Sequence, residues 1–371
     1  MNRKTTLNNG IRVVTEQIPH VQSISIGIWV KTGSRDEPKE ENGISHFIEH
    51  MLFKGTKRRT ALEIAREIDA VGGVLNASTS REITSFYAKV LDRDFDLAID
   101  LLSDIFLNSI FSSQEIKRER EVIYQEIKMV EDTPDEYILD LFNQHFFSGH
   151  PLGHPILGNY QTIGQITKPR ITEFFRTYYL HPFRIVVSVA GRLNHDRVVE
   201  KIESTLGQIK PKEEDRILDT PQPISNTHIF SKPLEQVHIC MGTKGISHTH
   251  PFRYAGYILN VLLGGSMSSR LFQEVREKHG LAYSIFSYLS SYSDTGIFSI
   301  YAGTTRDKLK KVIELIINEL RKFKENPLGK QELKKAKEQL KGNILLSYES
   351  TDNRMSRLAS GELYFGKFIP V

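Results

Sequence analysis

The chain has 371 residues, more than one ordinary core requires, and its length favours two domains. With 39% hydrophobic and 25% charged residues and a net charge of +4, it has a globular composition, without a basic stripe for nucleic acid or an apolar run of membrane-spanning length. Met1-Asn2-Arg3-Lys4 leads straight toward a strand-like run at Ile11–Val14 with no apolar signal core, and the lone Cys240 reads as a buried thiol, so a cytoplasmic protein is expected.

Residues 11–17 and 22–31 read as strands, the second with near-alternating apolar residues. A helix is expected at 43–54, and it contains His46, Glu49 and His50 in the pattern H-x-x-E-H. Positions i, i+3 and i+4 share one helix face, so these three side chains project together. Neutral imidazoles at that spacing can bind one Zn²⁺, and a carboxylate between them can handle an attacking water. A second helix starts after Thr60, an N-cap with Glu63 three residues on, and stops at Gly72-Gly73. Strands follow at Val74–Ser80 and Thr84–Leu91. Helices are expected at 94–107, 112–130, 134–147, 169–180 and 194–206, with a strand at Ile185–Ala190.

Residues 208–224 contain Pro211, Pro221, Pro223 and a mixed charge run, which marks a linker. After it the pattern restarts. Leu259–Ser266 resembles Glu49–Thr56, Arg306-Asp307 echoes Arg93-Asp94, and Gln331–Lys334 echoes Gln114–Lys117, at an offset of roughly 207–217 residues. Two homologous α+β domains are therefore expected. The repeat is chemically uneven, because Gly256, Leu259 and Asn260 stand where the first copy has His46, Glu49 and His50. Residues needed only for packing should persist in both copies, so the asymmetry favours a functional set in the first.

A zinc site with two histidines needs a third protein ligand. The stretch Glu115–Glu131 is rich in glutamate, and Glu119 and Glu126, seven apart, share a face with Val122 and Ile123. A carboxylate turned toward the core is costly unless a metal or a basic partner relieves it. Glu126 is the ligand candidate on that ground, with Glu119 beside it; in the second repeat its place is taken by Asn343.

H-x-x-E-H followed some seventy-five residues on by a glutamate, in a chain of two similar halves, resembles the inverted-zincin metallopeptidases of the pitrilysin, insulinase and mitochondrial-processing-peptidase family, closest to its small bacterial processing-protease branch. The resemblance implies an α+β fold of two homologous domains, each a mostly antiparallel sheet with helices on one face, forming a half-chamber. It implies a catalytic domain at 1–208, a linker at 209–224, and a domain without metal at 225–371, short of its final strand and helix. It further implies one Zn²⁺ per chain on His46, His50 and Glu126, Glu49 as general base, and Glu119 supporting catalysis without touching the metal.

Two further stretches carry the resemblance. Arg276 and Tyr283, in Arg276-Glu277-Lys278-His279-Gly280-Leu281-Ala282-Tyr283, look like the family's paired residues that hold the substrate backbone, acting in the same chain or on a partner. Asn76 and Ala77, in Asn76-Ala77-Ser78-Thr79-Ser80, resemble its peptide-binding edge strand. The implied protein is an endopeptidase for extended or unfolded peptides, working as a homodimer that encloses a chamber, with no nucleic-acid or membrane partner. A catalytically inactive, peptide-binding subunit of the same fold is the alternative. Such a subunit typically loses motif residues, and here all are present. His145, His150 and His154 fall in a stretch read as loop, with a spacing that fits no compact ligand set.

Overall fold

In the computed structural model, which describes residues 1–211 and 219–370, the strands of the first half form one six-stranded sheet. They are β1 (Asn2–Thr6), β2 (Arg12–Gln17), β3 (Ser23–Val30), β4 (Val74–Thr79), β5 (Thr84–Leu91) and β6 (Ile185–Gly191), in the order β1-β2-β6-β3-β5-β4. Every neighbouring pair is antiparallel except β2 with β6. β1 has no counterpart among the sequence expectations, because its polar residues form a largely exposed edge without an apolar alternation. β4 is the opposite edge.

The helices of this half are α1 (Ile44–Leu52), α2 (Ala61–Ala70), α3 (Phe95–Asn108), α4 (Ser113–Glu131), α5 (Pro134–Phe146), α6 (Tyr160–Gln165), α7 (Lys168–Phe174) and α8 (His195–Leu206). Thr60 caps α2 as its sequence suggests, accepting from the Glu63 amide while the Glu63 carboxylate accepts from Thr60 N. Inward residues of the sheet, among them Val13, Ile26, Phe86 and Val187, join α1, α3 and α8 in one apolar core.

The opposite face of the sheet is covered as well. Val14, Val186 and Ala190 pack against Met355, Leu358 and Leu363 of α12 (Thr351–Phe365). With both faces covered, β6 is buried at every position, which is why it reads as a nearly continuous apolar run. Ser188 Oγ donates to the Met355 carbonyl at 2.7 Å, and a Cβ on Gly27 would fall 3.1 Å from Met355 Sδ and 2.6 Å from Trp29 Nε1.

The second half contributes β7 (Val237–Lys244), β8 (Ala282–Ser291) and β9 (Gly296–Thr304) in the antiparallel order β7-β9-β8, with α9 (Arg253–Leu263), α10 (Leu309–Glu325) and α11 (Lys330–Ser347). Leu263, Ile300, Ala302, Val312 and Ile316 belong to one core here. Phe142 and Phe146 of α5 build another with Tyr292 and Ile297, and a Cβ on Gly242 would lie 2.5 Å from Phe142 Cζ.

The described residues therefore divide differently from the halves of the sequence. Residues 1–129, 154–211 and 347–370 form one unit, and 130–153 with 219–346 form the other. Each half lends a helix to the other's sheet, α5 in one direction and α12 in the other. The expected partition at 208 and 225 runs along the chain and misses this exchange. Residues 212–218 of the expected linker lie outside the described residues.

Candidate metal centre

The site begins at a buried carboxylate. Glu37 accepts from Gly43 N (2.8 Å), Ser45 N (2.8 Å) and Asn42 Nδ2 (2.9 Å), so it anchors the first turn of α1, whose amides have no intrahelical partner. Gly43 has φ of +95°, and a Cβ there would meet the Leu157 carbonyl at 2.8 Å, which makes glycine the fitting residue at this entry. Ile44, Phe47, Ile48, Met51 and Leu52 bury one stripe of α1. His46, Glu49 and His50 remain half-buried on the adjoining face, as the i, i+3, i+4 spacing requires.

α4 supplies the other side. Glu119, Ile116, Ile123 and Ile127 are buried along it. The expected face is corrected in one respect: Ile123 is buried, whereas Val122 is 42% exposed. Steps of four residues from Glu119 stay on the inward stripe, and Val122 lies on its solvent side.

Glu126 Oε2 stands 3.6 Å from His46 Nε2, and Glu126 Oε1 stands 3.6 Å from His50 Nε2. These gaps are too long for hydrogen bonds. Two donors each about 2.1 Å from one tetrahedral ion stand about 3.4 Å apart, close to the gaps seen. One ligand atom from each of the three residues falls within 4.8 Å of the others, and they form the only such group among the described residues. Among the described residues, Glu126 Oε2 is buried without a hydrogen-bond partner. A buried, orphaned carboxylate oxygen facing an imidazole nitrogen fits a cation between them. Burial, with the neighbouring His50 ring, pushes the His46 imidazole down to about 3, so it is a neutral donor at physiological pH.

Glu119 takes no place among those donors. Its Oε2 meets His50 Nδ1 at 3.0 Å, and its Oε1 pairs with Lys54 Nζ at 2.8 Å. Burial opposes its charge, but the bonds from His50 and Lys54 outweigh it and hold the carboxyl below its ordinary range. For His50, burial is likewise outweighed by Glu119, Glu126 and Glu49, which favour the charged ring in the metal-free protein. The Glu119 bond fixes the His50 ring with Nε2 toward Glu126.

Glu49 is tied to the sheet edge. The Thr79 hydroxyl, at the end of β4, donates to Glu49 Oε2. Burial pushes the Glu49 carboxyl up, against the Thr79 hydroxyl and amide, which favour the carboxylate. Asn76 and Ala77 lie on the same edge strand, and Ala77 N donates to Asn76 Oδ1 at 2.8 Å.

Arg276 and Tyr283 come together in the second unit. The Arg276 guanidinium lies 5.3 Å from the Tyr283 ring centroid and 4.7 Å from that of Phe272, and Tyr283 is 78% exposed. The positions matching the metal motif are absorbed into packing there. A Cβ on Gly256 would lie 2.6 Å from Ile246 Cδ1, Leu259 joins the apolar core, and Asn260 Oδ1 accepts from Ser287 Oγ at 2.8 Å. His145 sits near the end of α5, inside the helix expected at 134–147 although the three-histidine stretch as a whole reads as loop, and its ring stacks on His228 at 3.8 Å.

Residues 12–159 match the insulinase family, peptidase family M16, and residues 165–340 match the peptidase M16 inactive domain. The chain belongs to the M16 peptidase family. Its first M16 match contains His46, Glu49, His50, Glu119 and Glu126, and its second contains Arg276 and Tyr283. The uncharacterized zinc protease YmxG of Bacillus subtilis is 44% identical over 99% of this chain and 89% of its own length. The uncharacterized zinc protease SCO5738 of Streptomyces coelicolor is 40% identical over 100% and 82%. A protease from Helicobacter pylori of known crystal structure superposes with a TM-score of 0.91 at 26% identity, covering 98% of this M16 chain and 90% of that one. A peptidase M16 inactive domain structure from Pseudomonas fluorescens, at 18% identity and a TM-score of 0.91, shares the fold.

Lys54, Thr79 and Glu37 escape a reading by periodicity. Thr79 stands in the edge-strand stretch without a signal of its own. Lys54 and Glu37 act through partners that only the fold brings near.

Proposed function

We propose that this M16 chain is a zinc-dependent endopeptidase for extended or unfolded peptides, of the processing-peptidase kind. The observation that carries the reading is the convergence of His46 Nε2, His50 Nε2 and the Glu126 carboxylate beside Glu49. These three residues would hold one Zn²⁺ per chain, which when bound supplies Lewis acidity toward a scissile carbonyl and lowers the pKa of a water. Glu49 has Oε2 engaged by Thr79, which leaves Oε1 to take the proton of the attacking water and return it to the leaving amine. Glu119 and Lys54 keep His50 oriented. The exposed edge of β4 offers main-chain groups to an extended peptide. The Tyr283 hydroxyl and the Arg276 fork would hold the substrate backbone, in the same chain or across a homodimer that encloses a chamber. No helix among the described residues is long and apolar enough to cross a membrane.

The test is cleavage of an unstructured peptide library by the purified protein. Chelation should abolish cleavage and zinc restore it, while Glu49→Gln keeps the metal and loses about 10²- to 10⁴-fold in kcat. Chelator-resistant cleavage would overturn the reading. So would a wild type that binds zinc and peptides but cleaves none, the behaviour of an inactive binding subunit.

A further inference from the structure

Glu49 sits on a helix, yet its carboxylate is gripped by a strand. Thr79 is the last residue of β4, and among the described residues β4 has no neighbour on its outer side in the sheet. Along this strand Val74, Asn76 and Ser78 are exposed, while Leu75 and Ala77 pack toward the core. Thr79 follows the inward alternation, so its hydroxyl points into the helix layer and finds Glu49. An edge strand is restrained on one side only, and its order rises when a partner strand pairs with it. Any such ordering reaches the Glu49 carboxylate through Thr79.

We propose that Thr79 is a positioning residue that couples occupancy of the β4 edge to the placement of the Glu49 carboxylate. The inference rests on the peptidase reading. A peptide long enough to pair with β4 is then turned over faster, not merely bound more tightly, because remote binding is converted into alignment of the base. The second unit offers a contrast. There too a hydroxyl joins the helix to the edge strand, Ser287 to Asn260, but its acceptor is an amide at the position matching His50. A helix-to-edge hydroxyl is thus common to both units, and the grip on a carboxylate belongs to the first.

The experiment uses the full-length zinc-loaded protein and peptides that share one scissile bond and grow stepwise at both ends. For wild type, kcat rises with length. For Thr79→Val, KM still falls with length, but kcat stays at the short-peptide level, about ten- to a hundredfold below wild type on the longest peptide. Thr79→Ser restores the rise, and both variants keep wild-type zinc content and melting temperature. A length-independent kcat in wild type, an unaltered rise in Thr79→Val, or failure of Thr79→Ser to restore it overturns the coupling while leaving the peptidase reading intact. Loss of zinc or of thermal stability in Thr79→Val assigns Thr79 to packing and likewise overturns it. Absence of chelator-sensitive cleavage in wild type defeats the peptidase reading itself.

Discussion

At the scale of single residues, the two glutamates of α4 divide the labour by where each carboxylate ends. Glu126 faces both Nε2 atoms, whereas Glu119 reaches the far nitrogen of His50 and is held by Lys54. Removing Glu126 should abolish tight zinc binding, since two imidazoles alone do not complete such a site. Glu119→Gln keeps the volume but loses the charge that pairs with Lys54 and orients His50. It should weaken zinc by about ten- to a hundredfold, as loss of a partner to a metal-bound histidine does. Competition against a chelating dye measures both, with circular dichroism to confirm folding. Zinc affinity equal to wild type in Glu119→Gln would remove its positioning role. The seven-residue spacing made this pair visible in the sequence, because periodicity reports which side chains share a helix face. It does not report that Lys54 lies across from Glu119, nor that Glu37 caps α1 from outside the helix.

At the scale of elements, the expected strands and helices of the first half form close to their sequence bounds, because alternation, the Thr60–Glu63 box and the Gly72-Gly73 stop are local signals. What no local signal carries is destination. An apolar stripe on α5 or α12 announces that the helix is covered, without naming the sheet that covers it. Two glycines record the outcome. A Cβ on Gly27 in β3 would meet Trp29 Nε1 of the same strand at 2.6 Å and Met355 Sδ of α12 at 3.1 Å, and one on Gly242 in β7 would meet Phe142 Cζ of α5 at 2.5 Å and the Phe298 carbonyl at 3.0 Å. Alanine in a strand is ordinarily favoured over glycine by about 0.5–1 kcal/mol. At these two positions the crowding should reverse the sign, so that Gly27→Ala and Gly242→Ala each destabilise by about 1–3 kcal/mol in urea unfolding. Neutral or stabilised variants would mean that the borrowed helices tolerate a looser seat than the structure gives them.

At the scale of the whole chain, the exchange makes the halves of the sequence unequal to the units that fold. The three candidate metal ligands all lie within residues 46–126, so a fragment of the first half alone would contain every one of them. The packing argues that this is not enough to hold zinc. Without α12 the sheet would present Val14, Val186 and Ala190 to water, and Met355, Leu358 and Leu363 would no longer shield them. Apolar faces of this kind are unstable when bare. The ion pairs Arg354–Glu16 at 2.7 Å and Lys89–Asp352 at 2.9 Å would be lost as well, although partly exposed pairs contribute little. A chain ending at residue 346 should therefore aggregate or bind a hydrophobic dye, and bind zinc poorly, with every proposed metal ligand still present. A synthetic peptide of residues 347–370, added in trans, should restore both solubility and zinc binding by seating on the sheet as α12 does. A truncated chain that stays monomeric, dye-negative and zinc-binding without the peptide would show that the second face of the sheet needs no cover.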